Sequence, residues 1–212
     1  MNCPPGHYCD RTGMTSIEGQ LCDPGFTCLG GSYTSQPIGI PEGDICKIGH
    51  YCESGAAFNH PCPPGLACPY GGMSLTEAQS PTFFCAPGFF CSSGALTTEP
   101  YDQAEGGGIC PAGYYCPSPD PTETDYASGT HVPHPCPPGT YSSSTGGMDI
   151  NSCQDCPEGY YCEHYGSTNY LVCDEGWFCE GREFSSRPVI RDTAGNTESK
   201  HCPVGSYCTR GI

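Results

Sequence analysis

The sequence predicts an elongated tandem array of small disulfide-rich repeats, made of turns and short β-hairpins with little or no helix. Three observations carry that expectation. A seven-residue unit, Cys-x-x-Gly-x-x-Cys, recurs from one end of the 212 residues to the other. Gly 30, Pro 23 and Cys 20 together exceed a third of the chain, while Leu, Ile and Val are scarce. No stretch holds a 3.6-residue apolar period for three turns without meeting Gly or Pro.

Complete copies of the unit begin at Cys3, Cys22, Cys46, Cys62, Cys85, Cys110, Cys156, Cys173 and Cys202. A variant copy begins at Cys136 and carries Ser142 where its second cysteine belongs. In chain order these are modules 1 to 10, with the variant as module 7. Glycine fills the fourth position of every module, from Gly6 to Gly205, which points to a tight turn that needs positive φ. The sixth position is aromatic in eight of the ten: Tyr8, Tyr51, Phe90, Tyr115, Tyr141, Tyr161, Phe178 and Tyr207.

Cysteine above about 8 to 10% of a chain marks a disulfide scaffold. Such density belongs to oxidising compartments, where bridges replace the burial that a thin core lacks. The expected location is extracellular, as a secreted protein or part of a cell-surface appendage.

Module starts lie 19, 24, 16, 23, 25, 26, 20, 17 and 29 residues apart, an irregular period within the range of solenoids and arrays. The connectors read as turns, punctuated by Gly30-Gly31, Gly71-Gly72, Gly106-Gly107-Gly108 and Gly146-Gly147. Half of the modules also place Gly three residues past the second cysteine, at Gly31, Gly55, Gly71, Gly94 and Gly211. The runs 81–85 and 169–173 lead β-formers into modules 5 and 9 and are expected as strands. The longest connectors, 117–135 and 180–201, are expected as exposed loops or glycan carriers.

The pairing of twenty cysteines is not fixed by spacing alone. If every complete module closes on itself, Cys136 lacks a partner and Cys153 supplies one. The pairs are then Cys3–Cys9, Cys22–Cys28, Cys46–Cys52, Cys62–Cys68, Cys85–Cys91, Cys110–Cys116, Cys136–Cys153, Cys156–Cys162, Cys173–Cys179 and Cys202–Cys208. The opposite register joins each module's second cysteine to the next module's first; it strands Cys3 and Cys208 and ties Cys153 to Cys156. A bridge that closes so short a loop contributes about 2 kcal/mol. Because that gain is local, the modules are expected to be individually held and loosely coupled.

Charge is lopsided. Residues 1–181 hold 20 acidic and 2 basic residues, whereas 182–212 hold 3 acidic and 5 basic residues: Arg182, Arg187, Arg191, Lys200 and Arg210. An acidic majority argues against nucleic acid, whose phosphates need basic surface. No apolar run approaches the roughly 18 residues of a membrane span, and no signal segment precedes module 1. An array that starts and stops in mid-rhythm reads as an excerpt of a longer secreted chain.

Residues 136–162, CPPGTYSSSTGGMDINSCQDCPEGYYC, resemble the cysteine-rich ephrin-receptor-like repeat, in which Cys-Pro-x-Gly-Thr-Tyr precedes Cys-x-x-Cys. The other modules look like a contracted relative of it. Tandem CPxGxYC units resemble those of large surface proteins of protists and algae, including proteins of the flagellar hairs called mastigonemes. Three segments follow: 1–135 with six tandem modules, 136–172 as a divergent ephrin-receptor-like module pair, and 173–212 with two further modules and a basic connector. The resemblance implies an extracellular structural or adhesive role and carries over no catalytic residue.

Other chemistry finds little support. Cys153-x-x-Cys156 has the spacing of a redox or zinc pair but lacks the second pair that zinc sites use. His131-x-x-His134 with Cys136 sits in a Pro-rich connector without a scaffold, and Asp120, Glu123 and Asp125 lack the EF-hand pattern for Ca²⁺. No nucleophile elbow, phosphate loop or HExxH occurs, so no enzyme and no cofactor is expected. No Asn-x-Ser/Thr sequon occurs either, which leaves O-linked sugar on Ser142-Ser143-Ser144-Thr145 or on 117–135. Two functions stand: a subunit of an extracellular filament that self-associates, and the stalk or ligand-binding ectodomain of a receptor.

Overall fold

The computed structural model describes residues 2–118, 132–191 and 197–210, with backbone alone for 190, 191 and 197–199. It is built from disulfide-closed turns and two-stranded antiparallel sheets, with one four-residue helix and three-residue 3₁₀ turns among the described residues. Ten bridges join Cys3–Cys9, Cys22–Cys28, Cys46–Cys52, Cys62–Cys68, Cys85–Cys91, Cys110–Cys116, Cys136–Cys153, Cys156–Cys162, Cys173–Cys179 and Cys202–Cys208, and no cysteine is free.

Each module is a β-turn whose ends are tied together. The fifth residue donates its N–H to the carbonyl of the second in all ten copies, from His7 to Pro4 (3.2 Å) through Ser206 to Pro203 (3.0 Å). The fourth-position glycine therefore sits at the third corner of the turn, and its φ lies between 76° and 88° in every module. Proline precedes it in half of the copies, as at Pro5, Pro24 and Pro138, where its fixed φ suits the second corner of a type II turn. The recurring Cys-x-Pro-Gly is thus turn chemistry.

Residues leaving the turn run extended and pair with residues just ahead of the next module, so each sheet links two modules. In chain order the pairs are β1 (Phe26–Cys28) with β2 (Gly43–Ile45), β3 (His50–Tyr51) with β4 (His60–Pro61), and β5 (Phe89–Cys91) with β6 (Gly107–Ile109). They continue with β7 (Tyr114–Tyr115) and β8 (His134–Pro135), β9 (Thr140–Tyr141) and β10 (Gln154–Asp155), and β11 (Tyr160–Tyr161) and β12 (Leu171–Val172). A last pair, β13 (Val189–Arg191) with β14 (Thr197–Ser199), forms inside the long connector 180–201, which was expected as a loop.

The strand expected at 169–173 is present as Leu171–Val172. That expected at 81–85 is not. Pro81–Phe83 is a 3₁₀ turn with Pro81 at its first position, where a missing N–H costs nothing, and only Phe84 makes a β-bridge, to Leu66. Ahead of it, α1 (Leu75–Ala78) starts at a capping box: Ser74 Oγ accepts from Glu77 N–H, and the Glu77 carboxylate accepts from Ser74 N–H.

The chain divides into two compact units, Met1–Gly108 with Ser118–Val132, and Ile109–Pro117 with Pro133–Ile212. Modules 1 to 5 fall in the first and modules 6 to 10 in the second. Half-cystines make most of the core in each, fully buried from Cys22 to Cys116 and again at Cys136, Cys173 and Cys179. The largest apolar cluster gathers Leu66, Met73, Ala78 and Phe84 around the Cys62–Cys68 bridge.

Candidate functional site

The feature that recurs with constant geometry is the joint between consecutive modules, and it is made of backbone. The Gly6 N–H donates to the Cys28 carbonyl (2.8 Å), and the Gly6 carbonyl accepts from Cys22 N–H (3.0 Å). The same reciprocal pair joins Gly25 to Cys52 and Cys46, Gly49 to Cys68 and Cys62, and Gly65 to Cys91 and Cys85. In the second unit it joins Gly113 to Ser142 and Cys136, Gly139 to Cys162 and Cys156, Gly159 to Cys179 and Cys173, and Gly176 to Cys208 and Cys202.

Two further bonds flank each of seven joints. A residue with positive φ, three or four positions past the later module's seventh residue, donates its N–H to the first cysteine carbonyl of the earlier module. Its successor accepts from the N–H at the earlier module's seventh position. Gly31–Ser32, Gly55–Ala56, Gly72–Met73, Gly94–Ala95, Gly146–Gly147, Gly166–Ser167 and Arg182–Glu183 are these hooks. At modules 1 and 2, Gly31 reaches Cys3 (2.7 Å) and Ser32 receives Cys9 (2.8 Å).

This corrects a sequence expectation. Modules are not loosely coupled: a full joint supplies four backbone hydrogen bonds among buried half-cystines, each worth about 1 kcal/mol net and costly to leave unmade. In module 4 the hook is Gly72, four places past Cys68, and not Gly71, the glycine three places past it.

Hooks also reach two modules away. A Cβ built on Gly25 would stand 2.2 Å from the Gly72 carbonyl oxygen, one on Gly113 2.2 Å from that of Gly166, and one on Gly139 2.4 Å from that of Arg182. The fourth-position glycine therefore answers two demands, positive φ and close backbone approach. Hooks themselves have more room, which is how Arg182 occupies one at φ 57°.

Module 7 shows which feature the repeat keeps. Ser142 leaves it without a staple of its own, and Cys136 is bridged instead to Cys153, which follows a 3₁₀ turn capped by Asp149. The joint is intact all the same: the Ser142 carbonyl accepts from Gly113 (2.8 Å), its N–H donates to Ser167 (3.0 Å), and its hydroxyl donates to the Ser144 carbonyl (3.2 Å).

No protein-family model matches the chain, and no curated protein matches it in sequence.

The sixth-position aromatics are half-buried, except Tyr207, and they do not stack on one another between modules. Tyr51 and Tyr115 stack on the residues opposite them in the sheets, His60 at 5.4 Å and His134 at 5.5 Å, while Tyr141 meets Tyr170, in the connector ahead of module 9, edge-on at 5.1 Å.

Three of the five basic residues near the C-terminus, Arg182, Arg187 and Lys200, are paired with carboxylates. Arg187 Nε lies 2.7 Å from Asp174, and the half-buried Lys200 ammonium bonds to Glu183 (2.5 Å) and Glu180 (3.1 Å). Arg182 faces Asp155 at 3.5 Å on the surface, where such pairs add little. Glu183 foremost raises the Lys200 pKa, and the Arg187 guanidinium foremost lowers that of Asp174. The Asp44 carboxylate is likewise lowered, by backbone N–H bonds from Gly39 and then Ile45.

Cys153 and Cys156 belong to different bridges, so they do not form a dithiol pair. Asp120, Glu123, Asp125 and His131 lie outside the described residues, and Cys136 is held in its bridge. Among the described residues no three His, Cys, Asp or Glu converge to hold a metal, and no helix is long and apolar enough to cross a membrane. Ten bridges and no free thiol are the chemistry of an oxidising, extracellular setting. Ser143, Ser144 and Thr145 line a polar surface groove of about 230 Å³ with exposed side chains. What the joint accomplishes is addition: each module presents the groups that the next one needs.

Proposed function

We propose that this chain is a structural subunit of an extracellular filament or cell-surface appendage, without catalytic activity. The observation that carries the reading is the backbone joint, formed by four pairs of neighbouring modules in each compact unit and kept in module 7 where the staple is lost. A protein whose repeated element is a module-to-module contact is suited to bearing load and to spacing other groups. The likeness of residues 136–162 to ephrin-receptor-like repeats, and of the array to mastigoneme-type surface proteins, supports the same reading. O-linked sugar on Ser143, Ser144 or Thr145 fits it as well, since these hydroxyls face solvent.

The test is negative-stain imaging and sedimentation of native material at low salt, at high salt and with reductant. Regular fibres that disassemble only when the bridges are reduced support the proposal. A monodisperse monomer under all oxidising conditions overturns it in favour of a receptor ectodomain.

A further inference from the structure

Three tyrosine rings meet within the second compact unit. The Tyr170 ring lies 5.1 Å from that of Tyr141 and 4.7 Å from that of Tyr160, centroid to centroid, and meets them at 79° and 67°. Among the described residues these are the ring contacts between two tyrosines. The three come from separate stretches: Tyr141 is the sixth residue of module 7, Tyr160 the fifth of module 8, and Tyr170 lies in the connector ahead of module 9. Sheets hold them in place. Tyr141 is paired with Gln154, and Tyr160 with Val172, which sets Tyr170 diagonal to Tyr160 on the same face.

Edge-on aromatic contact is ordinary packing, but three observations give this cluster a chemistry. Tyr170 is 40% exposed while Tyr141 and Tyr160 are half-buried, so an oxidant reaches the shared ring from solvent and finds its partners already in place. The centroid separations are close to that of two directly bonded rings, so joining them asks for rotation of side chains and not for movement of the backbone. All cysteines are bridged, so the chain offers no thiol to reduce a phenoxyl radical before it couples.

We infer that Tyr170 is a site of oxidative cross-linking, joined through a ring carbon to Tyr141 or Tyr160 by a peroxide-dependent one-electron oxidant of the haem peroxidase class. Each of the two phenols gives up one electron and its hydroxyl proton. The resulting phenoxyl radicals bond at carbons ortho to oxygen, and the hydrogen on each of those carbons moves to its oxygen and restores the phenol. One hydrogen peroxide is reduced to two waters. Module 7 has Ser142 where its staple would close, directly after Tyr141, and a link from Tyr141 ties that module to the connector ahead of module 9. Unlike a disulfide, the link survives reductant. The inference does not depend on the filament reading.

Treatment of the 212-residue chain with a haem peroxidase and hydrogen peroxide tests it, at about 1 µM, where rings already in contact couple far faster than rings on separate chains. The monomer fraction is expected to gain dityrosine fluorescence and to lose two hydrogens in mass, and peptide mapping after reduction should join Tyr170 to Tyr141 or Tyr160. Tyr170→Phe keeps the ring and its packing but has no hydroxyl to give up, and it should lower the monomer fluorescence at least about tenfold, since the remaining tyrosines are not held in contact. Tyr165→Phe removes a nearby tyrosine that is 69% exposed and should leave the signal unchanged. Non-reducing alkylation confirms that both variants keep their ten bridges.

A wild-type monomer that forms no dityrosine, links that map to other tyrosines, or a Tyr170→Phe chain that couples as well as the wild type overturns the inference. Native material decides whether the site is used: dityrosine mapped to Tyr170 supports the assignment, and hydrolysates without dityrosine overturn it.

Discussion

Gly6 and Gly55 lie in modules two apart, yet a Cβ on Gly6 would stand 2.4 Å from the Gly55 carbonyl oxygen. That approach makes the fourth position intolerant of any side chain inside the array. Gly25→Ala is expected to cost about 3 kcal/mol, adding the left-handed penalty to a clash with the Gly72 carbonyl. Gly205→Ala, with nothing within 4 Å, is expected to cost only about 1 kcal/mol. Amide exchange of the Gly25 and Cys52 joint measures the difference; equal losses would refute the close-approach account.

Arg182 is the reverse case, since it is the one non-glycine residue with positive φ among those described. Arg182→Gly is expected to stabilise modules 8 and 9 by about 1 kcal/mol, because relief of the left-handed strain exceeds loss of its exposed pair with Asp155. Thermal melting and protection of the residue 182 amide report it. A destabilised variant would mean that the ion pair matters more than the backbone.

Accessibility orders the bridges. Cys202 and Cys208 are partly exposed, whereas both cysteines of Cys22–Cys28, Cys46–Cys52, Cys62–Cys68, Cys85–Cys91 and Cys110–Cys116 are fully buried. Alkylation before reduction should label no cysteine. A small thiol should then open Cys202–Cys208 on the order of tenfold faster than those five, since exchange needs access to sulfur. Mass mapping of partly reduced protein reads the order, and random opening contradicts it.

The carboxyls of Asp44 and Asp174 have lowered pKa values, so what they contribute is present above the ordinary carboxylate range and lost as pH falls through it. Lys200 is raised, so its contribution is present at neutral pH and lost as pH climbs past the ordinary lysine value. Local stability should be flat between about pH 5 and pH 9 and loosen on either side at different places. Acid should free the Gly39 and Ile45 amides and alkali the contact of Lys200 with Glu183. Corrected exchange rates for Gly39 that match at pH 3 and pH 6 would contradict this.

The sequence made the turn legible because turn chemistry is written in residue types: glycine at the third corner, proline ahead of it, cysteines at both ends. The likeness of module 7 to its neighbours was legible for the same reason. The joint was not, because backbone hydrogen bonds between modules leave no side-chain signature. Its one trace was the glycine three places past the second cysteine, and the hook slides to the fourth place at Gly72, Gly146 and Gly166, and is arginine at 182. The capping box at Ser74 and Glu77 has a sequence signature of its own, but a four-residue helix has no apolar period to accompany it. At Pro81–Phe83, aromatic content suggested a strand where proline favoured a helical start.

Because every complete module closes a ring of only seven residues, the bridges shorten the chain's covalent path very little. Tension along the backbone passes through each ring by its disulfide and reaches the hydrogen-bonded joints first. A joint that yields frees the connector behind it, as between Cys9 and Cys22, 13 residues apart and about 45 Å when drawn straight. The chain is therefore a series of mechanical fuses of unequal travel, set by the uneven connector lengths, and each resets when its glycine finds its neighbouring ring again.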